Sequence, residues 1–206
     1  AVLGFKTYKG EKIGVKVSSS FISEEQAWLN LEELGSRNFN EVKESARNAW
    51  NDVMNRVRVE GGTDEQLRTF YSCLYRSLLF PRKFYEVDKY GNIVHYSPYN
   101  GEVRRGYMYT DTGFWDTFRA LFPFLNLMYP SVNKEIQEGL ANSYEESGFL
   151  PEWASPGHRH CMVGNNSASV VADAYLKGCQ TEKIDLLYEA VLHGANHVHP
   201  QVPSTG

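Results

Sequence analysis

The chain has 206 residues, 42% of them hydrophobic and 14% aromatic, enough apolar mass for one large domain or one and a fraction. A net charge of −4 leaves no basic stripe to neutralise phosphates, which argues against a nucleic-acid partner. No run of roughly 18 apolar residues occurs, so no segment reads as a bilayer span, and no secretory leader is legible at Ala1. Three cysteines, Cys73, Cys161 and Cys179, form an odd set without a CxxC pair and suggest neither a disulfide framework nor a zinc site. Cys73 lies in an apolar helical pattern and is expected as a small core residue.

In chain order, residues 4–22 alternate around Gly10 and predict two short strands joined by a turn. Ser23, with Gln26 three residues on, has the pattern of a helix N-cap, and Gly35 that of its C-terminal stop. From Asn40, the spacing of Val42, Ala46, Trp50 and Val53 predicts a helix that stops before Gly61 and Gly62. A further helix is expected from Thr63 or Asp64 to Pro81, with Leu67, Phe70, Leu74 and Leu78 inward. Residues 82–108 are aromatic and turn-rich and predict a hairpin excursion turning at Asp88–Gly91. Helices are then expected over about 115–129, 131–146, 166–178 and 181–193. Their short connections suggest an antiparallel helical array.

Two clusters carry candidate chemistry. The first is Trp115-Asp116-Thr117-Phe118-Arg119. A Trp face can support the C–H face of a sugar ring, while a carboxylate and a guanidinium hold ring hydroxyls by charge-assisted hydrogen bonds. Equally, Asp116 could be a cap or an i,i+3 partner of Arg119, with Trp115 in the core. The second runs from Gly148 to Gly178. It pairs Glu152 with Trp153 behind a stiff Pro151, carries His158 and His160 on a loop, and reaches a helix start at Gly164-Asn165-Asn166-Ser167. That first turn can aim amides into a cleft, or the whole segment can be an exposed polar loop. Two histidines lack the further ligands that zinc requires. His193, His197 and His199 read as a solvated loop. Asp173 lies within an apolar helix and either faces a cleft or pairs with a neighbouring helix. No GxGxxG, P-loop, GxSxG or HExxH motif is present.

With both clusters in place, the chain resembles family 92 glycoside hydrolases, calcium-dependent exo-acting α-mannosidases. The resemblance rests on YTDTGFWDTFRALFP at 109–123, on residues 148–178, and on FPRKFYE and YSPYNGEV within 80–103. It covers about residues 20–195. It implies a mainly α fold: residues 1–23 end an N-terminal β-sandwich, 24–60 form a helical linker, and 61–206 begin an (α/α)6 catalytic barrel. It also implies hydrolysis of terminal α-linked mannose, α-1,2 foremost, with inversion of configuration. In such a reaction an acid and a base stand roughly 6.5–9.5 Å apart to admit a water.

The family's acid-bearing Glu-x-Asn-Ala-Trp, its Asn-Glu-Pro and its Gly-Asn-Asp-Asp segments do not occur before Gly206. The resemblance therefore implies an internal piece, inactive alone, whose catalytic acid and base lie elsewhere. It further implies calcium with oxygen ligands mostly outside these residues, a mannose-containing glycan as partner, a covering remainder of the same polypeptide or a second chain, and a secreted, periplasmic or cell-surface location. Substrate-binding residues are expected to be Trp115, Asp116, Arg119, Glu152, Trp153, Asn165 and Asn166, with Glu152 a cleft residue rather than the acid. The competing expectation is a carbohydrate-binding or structural module without catalysis.

Overall fold

A computed structural model describes residues 2–199. The chain divides into two compact units, one through Asn51 and one from Asp52 onward.

In the first unit, residues 4–22 form no strand. An isolated two-stranded hairpin is marginal in water, and no third strand is present among the described residues of this unit. The segment is instead tied down by polar contacts: Ser18 Oγ donates to Ala27 O at 2.5 Å, and Lys16 Nζ to Gly35 O at 2.6 Å. Helix α1 (Glu24–Glu32) starts at Ser23, whose side chain accepts from the Gln26 backbone N–H, as the sequence indicates. Helix α2 (Phe39–Met54) opens with Asn38, which accepts from the N–H groups of Asn40 and Glu41 while Glu41 accepts from the Asn38 N–H.

The second unit holds the core. Helix α3 (Asp64–Ser77) has a complete capping box between Thr63 and Gln66. Cys73, expected inside, is exposed; of α3 only Leu74 is buried, so Cys73 lies off the inward stripe. The aromatic excursion folds into short strands: β1 (Arg82–Lys83), β2 (Glu86–Val87), β3 (Ile93–Tyr96), β4 (Val103–Arg105), β5 (Tyr109–Thr110) and β6 (Thr112–Gly113). Strands β2, β3 and β4 make an antiparallel sheet, and β1 pairs with β5. Gly91 closes the β2–β3 turn with φ +80°, a conformation glycine adopts without strain.

The helix expected over 115–129 is two helices, α4 (Phe114–Thr117) and α5 (Leu121–Met128). Pro123 explains the break. Its ring would collide with the Arg119 carbonyl in a continuous helix, and it has no N–H to donate. In the first turn of α5 neither matters. Helix α6 (Pro130–Ser147) follows with its own proline at the start and ends at Gly148, φ +82°. Strand β7 (Trp153–Ala154) pairs with β6, and helices α7 (Asn166–Leu176) and α8 (Ile184–Asn196) complete the unit.

Helix α6 packs on α5 and α8, and α7 packs on α4 and α5. Their shared core includes Phe114, Phe122, Leu125, Tyr129, Ile136, Leu140, Val170 and Leu187. Phe122 is fully enclosed, so truncating it to alanine costs about 3–5 kcal/mol. The core also carries polar joints. His95 and Glu146 are both buried and meet at 2.8 Å, with the other ring nitrogen 2.8 Å from Gly106 O. Both ring nitrogens therefore face acceptors, and the joint pins β3 onto α6. Asp173 is engaged by Asn126 Nδ2 at 2.7 Å and by Lys177 Nζ at 2.7 Å. It is the partner of a neighbouring helix that the sequence left as one of two options. No helix is long and apolar enough to cross a membrane among the described residues.

Candidate functional site

Two chain segments meet at β6 and β7. The ladder sets Gly113 opposite Trp153 and Thr112 opposite Ala154, and Phe114 N–H donates to Glu152 O at 3.0 Å. The first candidate cluster is thus locked beside the second. Asp111, with φ 60°, turns the chain between β5 and β6 and forms an ion pair with Arg82. Gly113 then caps α4, and its carbonyl accepts from Thr117 Oγ1 at 2.9 Å.

On α4, Phe114 points into the core, whereas Trp115 and Asp116 are exposed. Among the described residues, the Asp116 carboxylate makes no hydrogen bond or ion pair with the protein. It is neither a cap nor the partner of Arg119. Arg119 instead donates to Trp115 O at 3.0 Å, and its guanidinium lies 5.1 Å from the Trp115 ring and 4.8 Å from the Phe118 ring. That stacking takes the cation away from the carboxylate and stiffens the indole. Trp153 is half-buried, and its ring reaches over Gly113 to the same spot as Asp116 Oδ2. The assembled surface is a free carboxylate beside the Trp153 ring, with exposed Trp115 next to it in the chain. It can accept hydrogen bonds from hydroxyls while apolar faces contact C–H groups.

Glu152, Asn165 and Asn166 have different surroundings. Glu152 is buried; one oxygen accepts from the Asn166 backbone N–H at 2.9 Å and the other from Ser167 Oγ at 2.8 Å. It satisfies the first turn of α7 in place of a local cap, since Asn165, at φ 61°, makes no side-chain cap bond. Burial pushes its carboxyl above the usual carboxylate range, and the donors from Ser167 and the α7 backbone pull the other way. Asn166 Nδ2 donates to the carbonyls of Val163 and Gly164, which holds the loop before α7. Asn165 is exposed. Glu152 and Asn166 therefore brace the strand and loop that carry Trp153.

The histidines do not form a solvated loop. His193 sits in the last turn of α8, and its ring lies 4.1 Å from that of His197 and 4.7 Å from Phe149. His199 is buried, with its ring 4.4 Å from both Phe149 and His158. His158 Nε2 lies 2.9 Å from Ser147 Oγ, and burial with the neighbouring His199 pushes its pKa down to about 4. Phe149 supplies the apolar surface that gathers these rings, a partner that local spacing does not reveal. No group of three His, Cys, Asp or Glu side chains is placed to hold a metal among the described residues. The sequence reading passed over Gly113, whose signal is a glycine two residues ahead of a Trp-Asp pair.

Residues 26–205 match the glycosyl hydrolase family 92 catalytic domain. Among solved structures, an inverting mannosidase of family GH92 from Bacteroides thetaiotaomicron VPI-5482 is 54% identical, with a TM-score of 0.87 over 91% of this chain and 26% of its own. A second family GH92 α-mannosidase of Bacteroides thetaiotaomicron, solved with mannoimidazole, is 28% identical, with a TM-score of 0.75 over 84% of this chain and 23% of its own. An uncharacterized secreted glycosidase of Arthroderma benhamiae is 28% identical over 191 residues, 89% of this chain and 20% of that protein. The chain thus spans about a fifth of the curated relative and about a quarter of the solved ones. Its mainly helical fold is that of structures whose catalytic domain is an (α/α)6 barrel. The chain belongs to glycosyl hydrolase family 92.

Proposed function

We propose that this chain supplies part of the mannose-binding cleft of an enzyme that hydrolyses terminal α-linked mannose, α-1,2-linked foremost, with inversion of configuration. The observation that carries the reading is the exposed, unpaired Asp116 carboxylate beside the Trp153 ring at Gly113. In this reading Asp116 accepts hydrogen bonds from mannose hydroxyls, and the two indoles contact the C–H faces of the sugar. Arg119 holds Trp115 in place, and exposed Asn165 offers an amide at the rim. Glu152 and Asn166 keep Trp153 and α7 in register.

Residues 1–23, which form no strand over 4–22, lead in from an N-terminal sandwich, 24–60 link it, and 61–206 open the barrel. The general acid and base come from other parts of the polypeptide, as does the remainder that covers this part of the barrel. Calcium would be held by oxygen ligands mostly outside these residues, where it would bind sugar hydroxyls. The protein acts outside the cytoplasm, as the secreted relative suggests.

The test is to give the intact protein an α-1,2-mannobiose and follow the anomeric signal of the released sugar by NMR, with and without a calcium chelator. Initial release of β-mannose, lost on chelation and restored by calcium, is the expected result. Mannose binding without release would favour a carbohydrate-binding module instead, and release of α-mannose would overturn inversion.

A further inference from the structure

We infer that Gly113 is a positioning residue of this site: the absence of a side chain there sets where the Asp116 carboxylate and the Trp153 ring stand. The inference rests on the proposed sugar-binding reading of those two groups.

The backbone does not require a glycine. Gly113 has φ −99° and ψ 122°, extended values open to any residue. Space requires it. A Cβ at this position would lie 2.8 Å from Trp153 Cε3, 3.0 Å from Cζ3 and 2.9 Å from Asp116 Oδ2. These separations are shorter than carbon contacts allow, since the optimum between carbons is about 3.5–4.0 Å.

The neighbours cannot all retreat. Trp153 is opposite Gly113 in the ladder, and its carbonyl accepts from Arg159 N–H at 3.2 Å. The adjoining Glu152 carbonyl accepts from Phe114 N–H, and Ala154 is buried. Strand β7 is therefore held from both sides. Asp116 is fixed at its backbone by α4, which hangs from the buried Phe114. A methyl at Gly113 can be accommodated only by turning the carboxylate and tilting the indole, the two groups on which sugar contact depends. Gly148 contrasts with it: a positive φ of +82° and nothing within 4 Å, a glycine chosen for conformation.

The test uses the intact protein and Gly113→Ala, alone and combined with Trp153→Ala. On an aryl α-mannoside, kcat/KM per folded molecule should fall roughly tenfold with KM raised, while the thermal midpoint moves little. A loss of folded molecules alone would lower the apparent kcat and leave KM in place. In the Trp153→Ala background the same substitution should cost clearly less, because half of the crowding is gone. Unchanged kinetics, or an equal loss in both backgrounds, overturns the inference. If Gly113→Ala does not fold, recovery of folding on adding Trp153→Ala supports the crowding argument, and no recovery overturns it.

A crystal structure of Gly113→Ala decides the same point without substrate: a displaced carboxylate and ring support it, and unmoved ones overturn it. Should the wild-type protein cleave no α-mannoside, the mannosidase reading fails, and this structural comparison still decides the role of Gly113.

Discussion

Asp116 and Trp153 meet over a glycine. One carboxylate oxygen and one ring carbon, from residues 37 positions apart in a chain of 206, lie 2.9 and 2.8 Å from the point where a Gly113 Cβ would sit. The β6–β7 ladder makes that meeting, and the exposed carboxylate is left with its acceptor sites open to solvent.

Glu152 supports the meeting from below, and its ionisation gives a signed prediction. Its folded pKa lies above the ordinary value of 4.5. Its contribution to stability is therefore fully present below that ordinary value and is lost as pH rises through the raised one. Glu152→Gln cannot accept from both Asn166 N–H and Ser167 Oγ, so it should destabilise by about 1–3 kcal/mol at pH 5. The deficit relative to wild type should shrink towards pH 8, where wild type holds a buried charge. Urea melts of the two proteins at several pH values check this, and a deficit that grows with pH contradicts it.

His158 titrates with the opposite sign. Its folded pKa, about 4, lies below the ordinary 6.5. Its contribution is present above 6.5 and lost as pH falls towards 4. Replacing it by phenylalanine should flatten the stability profile across that window by on the order of 2 kcal/mol. Equal slopes for wild type and His158→Phe would show that the imidazole is not shielded as described.

Helices α7 and α8 present Tyr175, Leu176, Tyr188 and Leu192 to solvent. Tyr175 and Tyr188 line one apolar groove, and exposed apolar surface of this kind drives association. The 206-residue chain produced alone should self-associate at micromolar concentration, and Leu176→Lys with Tyr188→Lys should raise the monomer fraction. Sedimentation velocity reads the outcome; a wild-type monomer across that range contradicts it.

Much of this architecture is legible in the sequence because it is local. Ser23 and Thr63 cap their helices through neighbours three residues away, and the apolar spacing after Pro130 marks α6. The break between α4 and α5 was available too, written in Pro123. Cys73 is exposed where its pattern predicts a core residue, because a helical pattern alone does not say which stripe is covered. The strands expected over 4–22 needed partners that a local pattern cannot supply. At the site, residue types pointed to Trp115, Asp116 and Trp153. The meeting of Asp116 and Trp153 at Gly113 and the bracing role of Glu152 depend on pairings across the fold.

The most direct measurement is Asp116→Asn in the intact protein, with activity on an α-mannoside and the thermal midpoint recorded together. The substitution keeps the shape and removes the charge, so each charge-assisted bond to the sugar weakens by on the order of 1–2 kcal/mol, about tenfold in kcat/KM. Because the carboxylate is exposed and unpaired within the described protein, the midpoint should stay within about 2 °C of wild type. Full activity per folded molecule with a lowered midpoint would contradict the account and make Asp116 a structural residue.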